Sequence, residues 1–303
     1  MNLIQKRGEM KKPYFVAEIG SNHNQDMDRI KKLIASAKES GFDAVKFQLF
    51  TADTLYHPSA LNERSVLKDR ELDPDFLYHI DIACAKEGID FICTPFSIKE
   101  VELIQPYVSA IKISSYELLR AGLIIAAAKT GLPIQLSTGM ANKEEIRTAI
   151  LTAKAHGAKD ITIYHCNANY PATPENCCMS MLRKMRDNIK CLLNDADFDN
   201  SVRFKFGWSD HTCDRNTIRI AVLYAAVEMI EMHYDLSDGK GYESSYGHCW
   251  GPGKAKHTID EIDMIQKIIG NPDVYQAKVN HIENRAWRAD PSDGLRPMKE
   301  IRK

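Results

Sequence analysis

Eight short runs of β-branched and aromatic residues, each followed by a longer stretch of helical periodicity, constrain this chain more than any other feature. The runs are YFVAEIG (14–20), AVKFQLF (44–50), DFICTPF (90–96), AIKISSYE (110–117), PIQLSTGM (133–140), ITIYHCN (161–167), VRFKFGW (202–208) and EMIEMHYDL (228–236). Between them lie amphipathic segments such as MDRIKKLIASAKESG, where Ile30, Leu33, Ile34 and Ala37 form one stripe and Gly41 supplies a stop. Strand-helix alternation implies a parallel sheet, and eight units over residues 14–270 fit a closed (β/α)8 TIM barrel of the α/β class. An open doubly wound sheet would carry a glycine-rich GxGxxG turn after its first strand; SNHNQD stands there instead.

No linker divides the chain, so residues 1–270 are expected to form one barrel domain and residues 271–303 a tail without a domain of its own. Two connections exceed ordinary turns, 51–72 and 237–257, and loops of that length usually act as lids or binding loops. Forty Lys and Arg against 41 Asp and Glu leave a formal charge of −1, which provides no global field for nucleic acid or an anionic membrane. The apolar runs fall far short of the ~20 residues that span a bilayer, and the opening MNLIQKRGEMKKP lacks a signal-peptide core. A cytoplasmic location is expected. The eight cysteines form no CxxC pair and read as reduced thiols.

In such a barrel the C-terminal strand ends converge on one mouth, where chemistry takes place. Polar residues concentrate there: Glu18, Lys46 with Gln48, Thr94, Lys112 with Ser115 and Glu117, Ser137 with Thr138, His165 with Asn167, Ser209 with Asp210 and His211, then Glu231 with His233. Lys46 and Lys112 sit among apolar neighbours, where an unpaired ammonium would cost several kcal/mol to bury. They need anionic partners. Either Glu18 and Glu117 serve in an internal ion-pair network, or the lysines join Ser137 and Ser209 in a cradle for a phosphate or carboxylate. His211 and His233 hold corresponding places on consecutive strands. A lone histidine there is more often a hydrogen-bonded core group, but a pair can share a divalent cation. The glutamates read equally as counter-ions or as general bases.

The ordered blocks AEIGSNHN, AVKFQ, CTPFS, KISSYE, LSTGM, HCNANYP, WSDHT and IEMHY, from residue 14 to about 236, resemble the sialic acid synthase family, which includes pseudaminic and legionaminic acid synthases. That resemblance implies a barrel enzyme condensing phosphoenolpyruvate with an N-acetylated aldose, with release of phosphate and formation of a 2-keto sugar acid. It implies that Lys46, Lys112, Ser137 and Ser209 hold phosphoenolpyruvate, joined by Ser115 and Asn167. It assigns His211 and His233 to a divalent ion, Mn2+ or Mg2+, places Glu18, Glu117 and Glu231 in catalysis, and sets Gln48 and Tyr170 against the acceptor. The family also implies a homodimer.

Three departures concern substrate recognition. Ala168 replaces a polar residue in HCNANYP; Gly253 stands where the family has the aspartate of PGPD; and no antifreeze-like domain follows the barrel in this sequence. The acceptor is therefore expected to differ from N-acetylmannosamine, or to be recognised by residues 237–257. Two other readings compete: a 3-deoxy-octulosonate or 3-deoxy-heptulosonate phosphate type of synthase, and a silent barrel serving in binding or assembly.

Overall fold

The computed structural model describes residues 12–194, 197, 201–270 and 282–302. Eight parallel strands close in sequence order into a barrel: β1 (Tyr14–Gly20), β2 (Ala44–Leu49), β3 (Asp90–Pro95), β4 (Ala110–Ile113), β5 (Ile134–Ser137), β6 (Asp160–Cys166), β7 (Arg203–Asp210) and β8 (Met229–His233). Parallel strands are covered on both faces and therefore read as continuous apolar runs. Each expected run coincides with one strand, β6 starting one residue before its run and β7 ending two residues beyond its own. The helix after β1, Met27–Glu39, buries the stripe Ile30, Leu33, Ile34 and Ala37 and is capped by the Asp26 side chain on the amides of Asp28 and Arg29.

Alternation along the strands sorts the interior into levels. One level is apolar, with Val16, Ala44, Ile92, Ala110, Tyr164 and Met229 packed together. Two residues further along the same faces come Glu18, Lys46, Thr94, Lys112 and Glu231, all buried. The apolar level forms a floor and the charged level stands on it. Gly207 is part of this floor, because a Cβ there would overlap the Tyr164 ring that fills the centre.

The connection 51–72 folds into two short helices, Ala52–Leu55 and Leu61–Lys68. The connection after β8 ends earlier than the sequence suggests, because Pro252 opens the helix Pro252–Ile269. Proline is favoured at a helix start, where its missing N–H has no intrahelical partner to lose. All eight cysteines are free. No helix among the described residues is long and apolar enough to cross a membrane.

The described residues divide into two compact units, one within 12–263 with all eight strands and another that includes 264–270 and 282–302. In the latter, Asp290 accepts from the Ser292 amide (2.9 Å) and the Lys299 amide (2.8 Å), and Arg302 donates to Asp293. The proposed barrel limits of 1 and 270 and the tail from 271 fall partly on residues 1–11 and 271–281, which lie outside the described residues.

Candidate active site

Register fixes the neighbours at the mouth: Glu18 lies beside Lys46 on β2 and beside His233 on β8, and Ser209 lies beside Glu231. A cavity there is lined by Glu18, Lys46, Gln48, Lys112, Ser115, Ser137, Tyr170, Ser209, His211, Glu231 and His233, together with Thr94, Ser114, Tyr116 and Cys166. Eleven of the thirteen residues expected at the site therefore share one cavity. Glu117 and Asn167 do not line it. Glu117 is buried in the turn Ser115–Glu117, where Ser114 donates to its carboxylate. The Asn167 side chain donates to the Asn176 carbonyl, and only its backbone reaches the site.

The lysines do find anionic partners, although Glu231 takes the place expected of Glu117. Lys46 Nζ lies 2.7 Å from Glu18 and 3.7 Å from Glu231, and also donates to the Thr94 hydroxyl at 3.2 Å. Lys112 Nζ donates to Glu231 Oε2 at 2.7 Å and sits 3.8 Å from the centre of the Tyr164 ring. Ser209 donates to the other Glu231 oxygen at 2.9 Å, and Gln48 donates to Glu18 at 2.5 Å. Burial opposes ionisation of Glu231, but the charges of Lys112 and Lys46 outweigh it and bring its pKa down to about 2. Burial likewise works against both ammonium groups. It wins at Lys112, whose pKa falls, whereas Glu18 and Glu231 together overcome it at Lys46, whose pKa rises. Two lysines are thus matched by two glutamates before any ligand enters.

The imidazoles stand beside this network. The His211 and His233 ring centres are 5.1 Å apart, with the Tyr170 ring 4.1 Å from the first and 5.6 Å from the second. His211 Nδ1 pairs with the Asn167 carbonyl at 2.5 Å; burial, reinforced by His233, depresses its pKa to about 3 and keeps the ring neutral. Burial also disfavours charge on His233, but the hydrogen bond and charge of Glu243 more than offset it and raise the pKa. That bond, His233 Nδ1 to Glu243 Oε2, is 2.8 Å long. Each imidazole is held through Nδ1 by an oxygen and keeps Nε2 for another partner, the arrangement usual for metal-binding histidines. The donor set fits a divalent cation.

Glu243 and His248, both from the connection after β8, were not singled out by sequence reasoning. With His233 they bring three potential ligand atoms within 4.8 Å of one another. Loops carry no periodicity to say which side chains turn inward, and the only signal was an acid and a histidine close behind a strand-end histidine, framed by Gly241 and Gly247. Asp210 has a structural place. It accepts from Trp208 Nε1 (3.1 Å), Trp250 Nε1 (3.0 Å), the Thr212 hydroxyl (2.7 Å) and the Cys213 amide (3.0 Å).

Comparison with known proteins decides the family, because the NeuB family matches residues 33–273. The chain belongs to the NeuB family. An uncharacterized protein of Methanocaldococcus jannaschii is 32% identical over 87% of this chain and 74% of its own length. The N,N'-diacetyllegionaminic acid synthase of Legionella pneumophila is 31% identical over 89% of this chain and 77% of its own. A crystal structure of N-acetylneuraminic acid synthetase from Leptospira borgpetersenii, in complex with citrate, shares the barrel fold with a TM-score of 0.77 at 23% identity, covering 91% of this chain and 92% of that one. NeuB membership makes the chain an enzyme of the synthase type and displaces the silent-barrel reading.

Proposed function

We propose that this NeuB enzyme condenses phosphoenolpyruvate with the aldehyde of an aldose to give a 2-keto-3-deoxy sugar acid and phosphate. The observation that carries the reading is the placing of Lys46, Lys112, Glu18 and Glu231 beside the His211–His233 pair in one cavity on the barrel floor. Lys46, Lys112, Ser137 and Ser209 hold the phosphate and carboxylate of phosphoenolpyruvate through charge-assisted hydrogen bonds. His211 and His233 hold a divalent ion, manganese or magnesium, which when bound supplies Lewis-acid polarisation of an oxygen.

In this reading the C2–C3 π electrons of phosphoenolpyruvate form a bond from C3 to the aldehyde carbon, the carbonyl π pair moves to the aldehyde oxygen, which takes up a proton to become a hydroxyl, and the electron deficiency left at C2 is quenched by water. A carboxylate takes one proton of that water, replacing the proton taken up by the aldehyde oxygen, and the tetrahedral centre breaks its C2–O bond to phosphate, which carries off the remaining hydroxyl proton as C2 becomes the ketone. Glu231, held as a carboxylate by two lysines and Ser209, is a weak proton acceptor and serves as counter-ion. Glu18 is the base, with Lys46 as the partner it surrenders when the substrate anion arrives. Tyr170 and Gln48 border the acceptor, and the connection after β8 sets its identity in place of the aspartate that Gly253 replaces.

Phosphate release from phosphoenolpyruvate with manganese and a panel of aldoses, followed by mass spectrometry of the product, tests the reading. Absence of phosphate release with every aldose refutes the condensation. Efficient and exclusive use of N-acetylmannosamine refutes the altered acceptor.

A further inference from the structure

The structure assigns Glu243, from the connection after β8, as the positioning residue of His233: its carboxylate holds the proton side of that imidazole, so that Nε2 is the nitrogen offered to a cation at the mouth. The inference rests on the reading of His211 and His233 as cation ligands and deepens it.

The two imidazoles are held differently. His211 Nδ1 meets a neutral backbone carbonyl, that of Asn167 at 2.5 Å, whereas His233 Nδ1 meets the Glu243 carboxylate at 2.8 Å. Both partners accept only, so the proton between each pair belongs to the ring nitrogen. A hydrogen bond to a carboxylate is charge-assisted, and it makes the imidazole a stronger donor through its other nitrogen. His211 and His233 line the cavity, and neither Glu243 nor His248 does. Glu243 therefore acts on the cation through His233 and not by touching it.

The carboxylate is itself fixed from three sides. Oε1 accepts the Ser21 amide at 2.7 Å, and Oε2 accepts from His248 Nε2 at 3.3 Å as well as from His233. His248, only 2% exposed, thus supports the carboxylate from behind the site. The Glu243 amide donates to Asn22 Oδ1 at 2.8 Å, and Asn22 Nδ2 donates to the carbonyl of Tyr234, the residue after His233, at 3.1 Å. Two glycines make the approach possible. Gly20 leaves the space that the Glu243 carboxylate occupies, and a Cβ on Gly241 would overlap Asp235 and Asn22.

A carboxamide of the same shape cannot replace this group. It has one accepting oxygen and one donating nitrogen, so it would turn an N–H toward either the Ser21 amide or the imidazoles. E243Q keeps the volume and breaks the hold on His233.

The test uses the full chain stripped of metal. Long-range 1H–15N NMR of the histidine rings, with the His233 signals assigned through H233N, reads the protonated nitrogen, and calorimetric titration with MnCl2 reads affinity. In the unaltered protein His233 should carry a proton on Nδ1. E243Q should lose that signature and bind manganese about 10- to 100-fold more weakly. D238N, which loosens the same connection at its ion pair with Arg29, is the structural control and should keep both readouts. An imidazole protonated on Nε2 alone in the unaltered protein overturns the inference and needs no variant to fold. Unchanged affinity in E243Q, or an equal loss in D238N, overturns it while leaving the His211–His233 pair standing. Failure of the unaltered protein to bind manganese removes that pair and the inference together.

Discussion

Lys112 donates to Glu231 at 2.7 Å through the carboxylate oxygen that also lies 3.7 Å from Lys46. One buried glutamate therefore sits between two buried cations. Removing one partner of a buried pair typically costs about 3–5 kcal/mol, whereas exchanging both for well-packed apolar groups is often neutral. Lys112→Met is expected to lose that much stability in urea unfolding, and the double variant Lys112→Met, Glu231→Leu to recover most of it. A double variant as unstable as the single one would show that the pair is not an energetic unit.

The same glutamate gives a signed pH dependence. Its pKa in the folded chain, about 2, lies below the ordinary 4.5, so its stabilising contribution is complete above 4.5 and disappears as pH falls from there toward 2. Comparing urea midpoints at pH 7 and pH 3.5, Glu231→Gln should lose less stability than the unaltered chain. An equal loss in both proteins would count against this assignment.

Because two glutamates already neutralise the two lysines, the mouth offers an incoming anion little net charge of its own. Phosphoenolpyruvate should bind at least about tenfold more weakly after chelation of divalent ions, a difference of ~1.4 kcal/mol. Calorimetry with and without EDTA measures it. Equal affinity in the two conditions would mean that the lysines release their glutamates without help.

Gly20 tests the seating of the connection after β8. Gly20→Ala places a methyl group where the Glu243 carboxylate lies, at a φ of +54° that L-residues rarely adopt. We expect a stability loss of about 1–3 kcal/mol and faster proteolysis within residues 237–251. A cleavage pattern like that of the unaltered chain would place the strain elsewhere.

Asp210 has four donors and a buried carboxylate, and burial raises its pKa in spite of hydrogen bonds from Thr212, Trp208 and Trp250. Asp210→Ala leaves two indole N–H groups without an acceptor, each costing about 1–3 kcal/mol. The expected result is a lower melting temperature, read by calorimetry, with the manganese affinity of the remaining folded protein preserved.

The barrel was legible because parallel strands advertise themselves as apolar runs, and a lysine inside such a run, as in AVKFQ or AIKIS, marks an inward position. Glu117 and Asn167 lie just beyond their strands, where alternation no longer dictates direction, and their side chains turn away from the cavity. Glu243 and His248 were hidden for a related reason. Glu243 is turned inward by contacts with Ser21 and Asn22, more than two hundred residues earlier in the chain, and His248 by its bond to Glu243.

The two-residue step from apolar floor to charged mouth has a consequence for assembly. A slip of one residue in β2 or β4 would turn Lys46 or Lys112 outward against the surrounding helices and carry apolar neighbours inward. Misregistered barrels are thus penalised by the charged residues that line the mouth. For this chain, a strand alignment that closes the barrel without assembling the buried ion pairs of the mouth is a poorly stable alternative, and those charges double as a proofreading device for the fold.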